Sequence, residues 1–375
     1  DGQVLSRLST RANSNSTGKA GDLTIKTNTL LVRDGAQVSA STFGSGKGGS
    51  LRVEAQDVQL IGRSADGQFP SGLFSSAEGN STGDAGDLRI KTNTLLVQDG
   101  AEVFAGTFGQ GKGGSLTVNA QDIQLIGISA DGEFSSGLFS SANSTGNAGD
   151  LTVKTNTLLV RDGAQVSAST FATGEGGDLK IDATSKIELI GVNAINSNPS
   201  GLFAQQGIKD ATGDAGSLTI NTLLLRVLGG ATVSAGTFGV GTGGDLKIDA
   251  SIIEVIGTSK NGSGSRITAQ AESNATGRAG DLTIKTDELL AQDGGQISAS
   301  TFATGEGGDL KINATSKVEL IGRNTIKSRF PSGLFVTQET ENATGNAGSL
   351  TINTPLLRVL NGANVSASTS GIGTG

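Results

Sequence analysis

The segment Ala20–Gly35, AGDLTIKTNTLLVRDG, returns five more times with small changes, for example as AGDLRIKTNTLLVQDG at Ala85–Gly100 and AGDLTVKTNTLLVRDG at Ala148–Gly163. A chain that repeats itself from end to end at about 65 residues is a stack of units, not a globular domain built around one site. Its anchoring leucines are Leu23, Leu88, Leu151, Leu218, Leu282 and Leu350. A related motif begins at Leu51, Leu116, Leu179, Leu246 and Leu310, so each unit is a doublet. The expectation is one solenoid over 1–375, with units starting near 21, 86, 149, 216, 280 and 348 and with both ends falling inside a repeat.

Spacing gives the shape of the unit. Every first motif spans 28 residues, as from Leu23 to Leu51, whereas the second varies from 35 to 40. Alternation such as Leu23-Thr24-Ile25 marks short strands with one buried face. The first motif holds three such runs, near Leu23–Thr27, Thr29–Arg33 and Gln37–Thr42, and polar or glycine-containing breaks separate them. Three strands and three corners make one coil. The pattern predicts an all-β, right-handed parallel β-helix of about eleven coils, because parallel crossovers are right-handed almost always. At ~4.8 Å per coil the stack is roughly 50 Å long. The extra length of the second motif falls between its second and third runs, as surface loops at Arg63–Ser71, Ile128–Ser136, Val192–Ser200, Thr258–Gly264 and Arg323–Ser332.

The outward positions fix a register. Aligning Leu23 with Leu51 stacks Lys26, Glu54, Lys91, Asn119, Lys154 and Asp182, with no two lysines adjacent. The column through Leu31 runs Leu31, Gln59, Leu96, Gln124, Leu159, Glu188, Arg226, Glu254, Leu290, Glu319, Arg358, so each Arg stands in the place of a Leu beside Glu. Such compensation is expected of residues stacked directly on one another.

Composition narrows the chemistry. The chain has no Cys, His, Trp, Tyr or Met, which removes disulfides, thiolate metal sites and the commonest general base. A net charge of −7 argues against nucleic acid as a partner. No apolar run approaches the ~20 residues of a membrane span. Carboxylates remain as acid–base candidates, but Asp22, Asp87, Asp150 and Asp281 recur in register, as do Asp178, Asp245 and Asp309. Asp66 and Asp131 occupy equivalent loops. A catalytic centre is assembled once, so recurring residues read as structure. The same Asp column is where calcium would bind, but Ser50, Ser115, Ser217 and Ser349 interrupt it. Asn15, Asn80, Asn143, Asn274 and Asn342 open Asn-x-Thr-Gly corners. Asp210 fills one such corner, so they read as turns before glycan acceptors. A threonine face of the ice-binding kind is broken by Arg52, Lys180, Lys247 and Lys311.

Phenylalanine gives two further series, Phe43, Phe108, Phe171, Phe238, Phe302 and Phe74, Phe139, Phe203, Phe335. Either they tuck beneath corners as core, or Phe74, Phe139, Phe203 and Phe335 point outward beside Leu31, Leu96, Leu159 and Leu290 as one apolar stripe for lateral packing.

The G-D/S-L-T-I/V-x-T strands, the L-L-V-x-D-G-A-x-V-S-A-S segments and the S-G-L-F segments resemble the repeat regions of filamentous-haemagglutinin-like exoproteins, the cyanobacterial type above all. That resemblance implies two-partner secretion, a β-helical shaft and adhesion or matrix roles at a cell surface. It supplies no binding residue. The expected function is a structural segment of a large secreted or cell-surface fibrous protein that self-associates, end to end or laterally, into extracellular filaments. It would be no enzyme and need no cofactor. The alternative is an adhesin shaft whose long-loop face binds surface polysaccharide or a partner protein.

Overall fold

The computed structural model describes residues 6–209, 211–273, 275–302, 304–338, 344–371, 373 and 374. Asp210, Asn274 and Asn342, three of the predicted corner residues, lie outside them. Among the described residues every regular element is a strand.

Each coil has three strand positions. In the first complete coil these are Leu23–Lys26, Thr29–Arg33 and Gln37–Thr42. Strands of the first two positions stack into a 16-stranded sheet and those of the third into a 12-stranded sheet. All pairings between coils are parallel, as when Leu23–Lys26 pairs with Leu51–Glu54 and that with Leu88–Lys91. The first position holds eleven strands, matching the expected coils; the third holds twelve because Arg7–Ala12 pairs with Gln37–Thr42 from beneath. The chain is a parallel β-helix.

Alternation explains the core. Val38, Leu73, Val103, Leu138 and Val166 stack as one inward column, nearly all without exposed surface. In the middle coils the first two strands run on as one, such as Leu151–Arg161. There the inward phase moves from Leu151, Val153 and Thr155 to Leu158 and Val160, and a register shift between Thr155 and Thr157 marks the bend. Thr155 sits at that bend, its buried hydroxyl donating to the Gln121 carbonyl at 2.9 Å.

Both predicted columns are present along their whole length. Lys26 pairs with Glu54, Glu54 with Lys91, and so on to Asn353. Leu31 pairs with Gln59 and the series closes at Arg358. Arg226 bridges Glu254 at 2.8 Å and Glu188 at 3.5 Å, one in each neighbouring coil.

Glycine content has a geometric cause. Where Ala-Gly-Asp-Leu stacks on Gly-Gly-Asp-Leu, a Cβ on Gly177 would lie 1.9 Å from the Gly149 carbonyl oxygen, and one on Gly216 2.0 Å from that of Gly177. Backbones of successive coils approach at this corner more closely than any side chain permits. At the corner before the third strand, Asp34 and Gly35 both have positive φ, 58° and 81°, the double left-handed turn for which Asp-Gly is suited. The buried Ser71 hydroxyl of the next coil accepts the Gly35 N–H at 2.9 Å, and Ser136 does the same for Gly100 at 2.8 Å.

A candidate ligand trough on the third-position sheet

The recurring aspartates act between coils. The Asp22 carboxylate accepts the Ser50 N–H at 2.9 Å, Asp150 that of Asp178 at 3.1 Å, and Asp178 that of Ser217 at 2.8 Å. Each anion therefore caps the strand that begins in the next coil, and the interrupting serines stand at donor positions where a carboxylate is unnecessary. A hydrogen-bonded carboxylate is easier to ionise, and the Asp22 carboxyl is lowered chiefly by the Ser50 N–H, with Lys19 adding to it. Among the described residues no group of three or more acidic side chains is placed to hold a metal ion. Asp66 and Asp131 fold back on their own loops, each accepting from the backbone two residues on, Gln68 at 3.1 Å and Glu133 at 3.0 Å. Asn15, Asn80 and Asn143 are exposed, and Asn15 has a positive φ of 67° as turn chemistry requires.

The two apolar rows expected to form one stripe lie on different sheets. Leu31 is exposed and Leu96, Leu159 and Leu290 are half-buried on the outer surface of the 16-stranded sheet. Phe74, Phe139, Phe203 and Phe335 belong to the 12-stranded sheet. Their side chains face out, since Leu73, Leu138, Leu202 and Leu334 beside them are fully buried, yet the rings lie back over their own strands. A Cβ on Gly72 would meet the Phe74 ring at 2.9 Å and one on Gly201 the Phe203 ring at 2.8 Å. Ser-Gly-Leu-Phe thus encodes a turn cap, a bare backbone, a core residue and an outward ring laid over that backbone.

These rings form part of the floor of a trough on the outer face of the third-position sheet. One wall is the long loops, which leave the rod just before the third strands. Each loop is closed by an antiparallel bridge, such as Arg63 with Pro70 or Val192 with Pro199. Loops two coils apart brace one another: Asn196 donates to the Gly132 carbonyl at 2.6 Å and Asn324 to that of Gly262 at 2.8 Å. The opposite wall is the row Phe43, Phe108, Phe171, Phe238 and Phe302 just after the third strands. These residues are neither core nor fully free; Phe43 and Phe108 are about 40% and 44% exposed, and Phe108 stacks on Phe104 at 5.0 Å. Three cavities follow the trough, of about 520, 370 and 450 Å³, each lined by residues of both walls.

The first cavity contains a feature absent from the repeat pattern. Arg63 is almost fully buried at its base and holds Glu102 at 3.4 Å. Its Nε donates to the Gly67 carbonyl at 2.7 Å, and its guanidinium lies 3.8 Å from the centre of the Phe134 ring. Burial pushes the Glu102 carboxyl up to about 7, against the opposing pull of Arg63. Glu78, which lines the same cavity, and Glu272, farther along the trough, are also raised by burial, the first opposed by the Ser76 hydroxyl and the second by Arg266. Sequence reasoning weighed the recurring aspartates and passed over these three. A signal was present: Glu102 stands where Gln37, Gln165 and Gln296 send their amides to the loop carbonyls of Pro70, Pro199 and Pro331. Departures from a repeat, not its recurrences, mark the singular positions.

No family model, curated protein or solved structure matches this chain. No helix among the described residues is long and apolar enough to cross a membrane.

Proposed function

We propose that this chain is a shaft segment of a large secreted or cell-surface fibrous protein of the filamentous-haemagglutinin-like kind, working as a structural element and not as an enzyme. The observation that carries this reading is the use of its recurring polar groups. The Asp column, the Lys/Glu column and the Arg226 ladder all bind one coil to the next, and so hold a long rod in register. Such a design suits span and stiffness, and a stack of this kind is lengthened simply by adding coils. Electron microscopy of the native material tests the filament reading. Regular fibres in which coils abut support it, whereas isolated rods with a distinct tip sink it.

The trough favours a second reading, an adhesin shaft that takes a ligand along its long-loop face. A structural rod needs no braced loops facing a row of half-exposed phenylalanines. Binding of surface polysaccharide to the purified chain, lost when the loop Arg63–Ser71 is replaced by the two-residue turn of a short coil, is its test.

A further inference from the structure

We infer that the trough takes an extended, polyanionic polysaccharide laid parallel to the axis of the rod. This rests on the second reading above and names its ligand class.

The first ground is charge. The chain carries a net −7, yet among the described residues the linings of the three cavities hold six cationic side chains against three carboxylates, a surplus of three positive charges. All three carboxylates are raised by burial, which weakens their opposition further. On the 16-stranded sheet Arg226, Lys317 and Arg358 are held by carboxylates at 2.8, 2.9 and 3.0 Å. Arg266, Lys327 and Arg329 are exposed at the far half of the trough and form no ion pair among the described residues. A basic channel on an acidic rod draws anions to itself.

The second ground is spacing. Phe43, Phe108, Phe171, Phe238 and Phe302 come from alternate coils without a gap, so they recur at roughly 10 Å for a ~4.8 Å coil. Between them the floor offers hydroxyl and amide groups, for example Gln270 and Ser298. A flat aromatic face suits the apolar face of a sugar ring and a polar row suits its hydroxyls. A repeat of two coils matches the repeat of two sugars in an extended chain.

The third ground excludes a peptide strand. The trough floor is the face of a sheet whose backbone groups are already spent between coils, so it has no open edge on which a peptide could add by main-chain hydrogen bonds.

The test measures binding of polygalacturonate and of a sulfated galactan by affinity electrophoresis and calorimetry, each beside a neutral counterpart, methyl-esterified polygalacturonate and unsulfated galactan. The expected result is binding of an anionic polymer that weakens with salt, with the neutral counterparts bound weakly or not at all. Combining Arg266→Gln, Lys327→Gln and Arg329→Gln should weaken it about tenfold, the joint effect of three screened charge contacts. All three side chains are exposed, so unchanged circular dichroism shows that the fold is kept. Equal binding of the neutral polymers, equal binding of poly-glutamate, or an unaffected triple variant overturns the inference and leaves polysaccharide binding standing. Absence of binding to all four polymers overturns both.

Discussion

Arg63 and Glu102, 39 positions apart in sequence, meet at 3.4 Å beneath the ring of Phe134, and theirs is the most buried ion pair among the described residues. Burying a charged pair costs desolvation that its attraction only partly returns, so Glu102 remains easy to protonate. The Arg63 side chain is better satisfied, because loop carbonyls of Gly67 and Gln68 share it.

The consequence is a pH dependence with a definite sign. The folded-state value for Glu102 is raised to about 7 from an ordinary 4.5, so the folded chain binds the extra proton between those limits. Its contribution to stability is full below about 4.5 and is lost as pH rises through about 7, a change of at most about 3 kcal/mol. Urea unfolding at pH 5 and 7.5 should therefore show a difference that Glu102→Gln reduces. Equal pH dependence in the two proteins would refute the assignment, as would a Glu102 side-chain carbon signal that titrates near 4.5.

Substituting glycine should separate close approach from backbone strain. Gly177→Ala puts a methyl 1.9 Å from the Gly149 carbonyl oxygen and should cost more than about 3 kcal/mol. Gly62→Ala, at φ 70° with no atom within 4 Å of the added carbon, carries only the left-handed penalty of about 1–2 kcal/mol. Denaturant midpoints of the two variants should fall in that order.

The aspartate ladder should depend on an oxygen acceptor and not on charge or calcium. Asp178→Asn keeps an acceptor for the Ser217 N–H, now at 2.8 Å, and should melt close to the parent. Asp178→Ala leaves that donor without its partner and should lose about 0.5–1.5 kcal/mol. Adding a chelator should leave the melting temperature of all three proteins unchanged; a large fall would restore the calcium reading.

Reversing Arg226 should reveal how far the ladders fix register. Arg226→Glu places a carboxylate between Glu188 and Glu254, its partners at 3.5 and 2.8 Å. Loss of two pairs and gain of two repulsions should cost about 1–2 kcal/mol, less in high salt. A variant as stable as the parent in low salt would mean that the column contributes nothing to coil pairing.

What the sequence determined by itself is the coil and its register. A 28-residue spacing, strand alternation at Leu23-Thr24-Ile25 and compensated charges at Glu188, Arg226 and Glu254 are local or strictly periodic facts, and stacked coils make periodic positions neighbours. What only the tertiary structure decided is which rows share a face. Leu31 and Phe74 read alike as outward apolar residues, yet they occupy different sheets because the angle at each corner is set by packing across the core. The trough likewise arises from parts that no short stretch contains: the loop carrying Arg63, the strand carrying Glu102, the next loop carrying Phe134 and the corner carrying Phe108. Its charge and shape follow from folding that brings these separate coils to one side of the rod, where burial changes what their side chains can do.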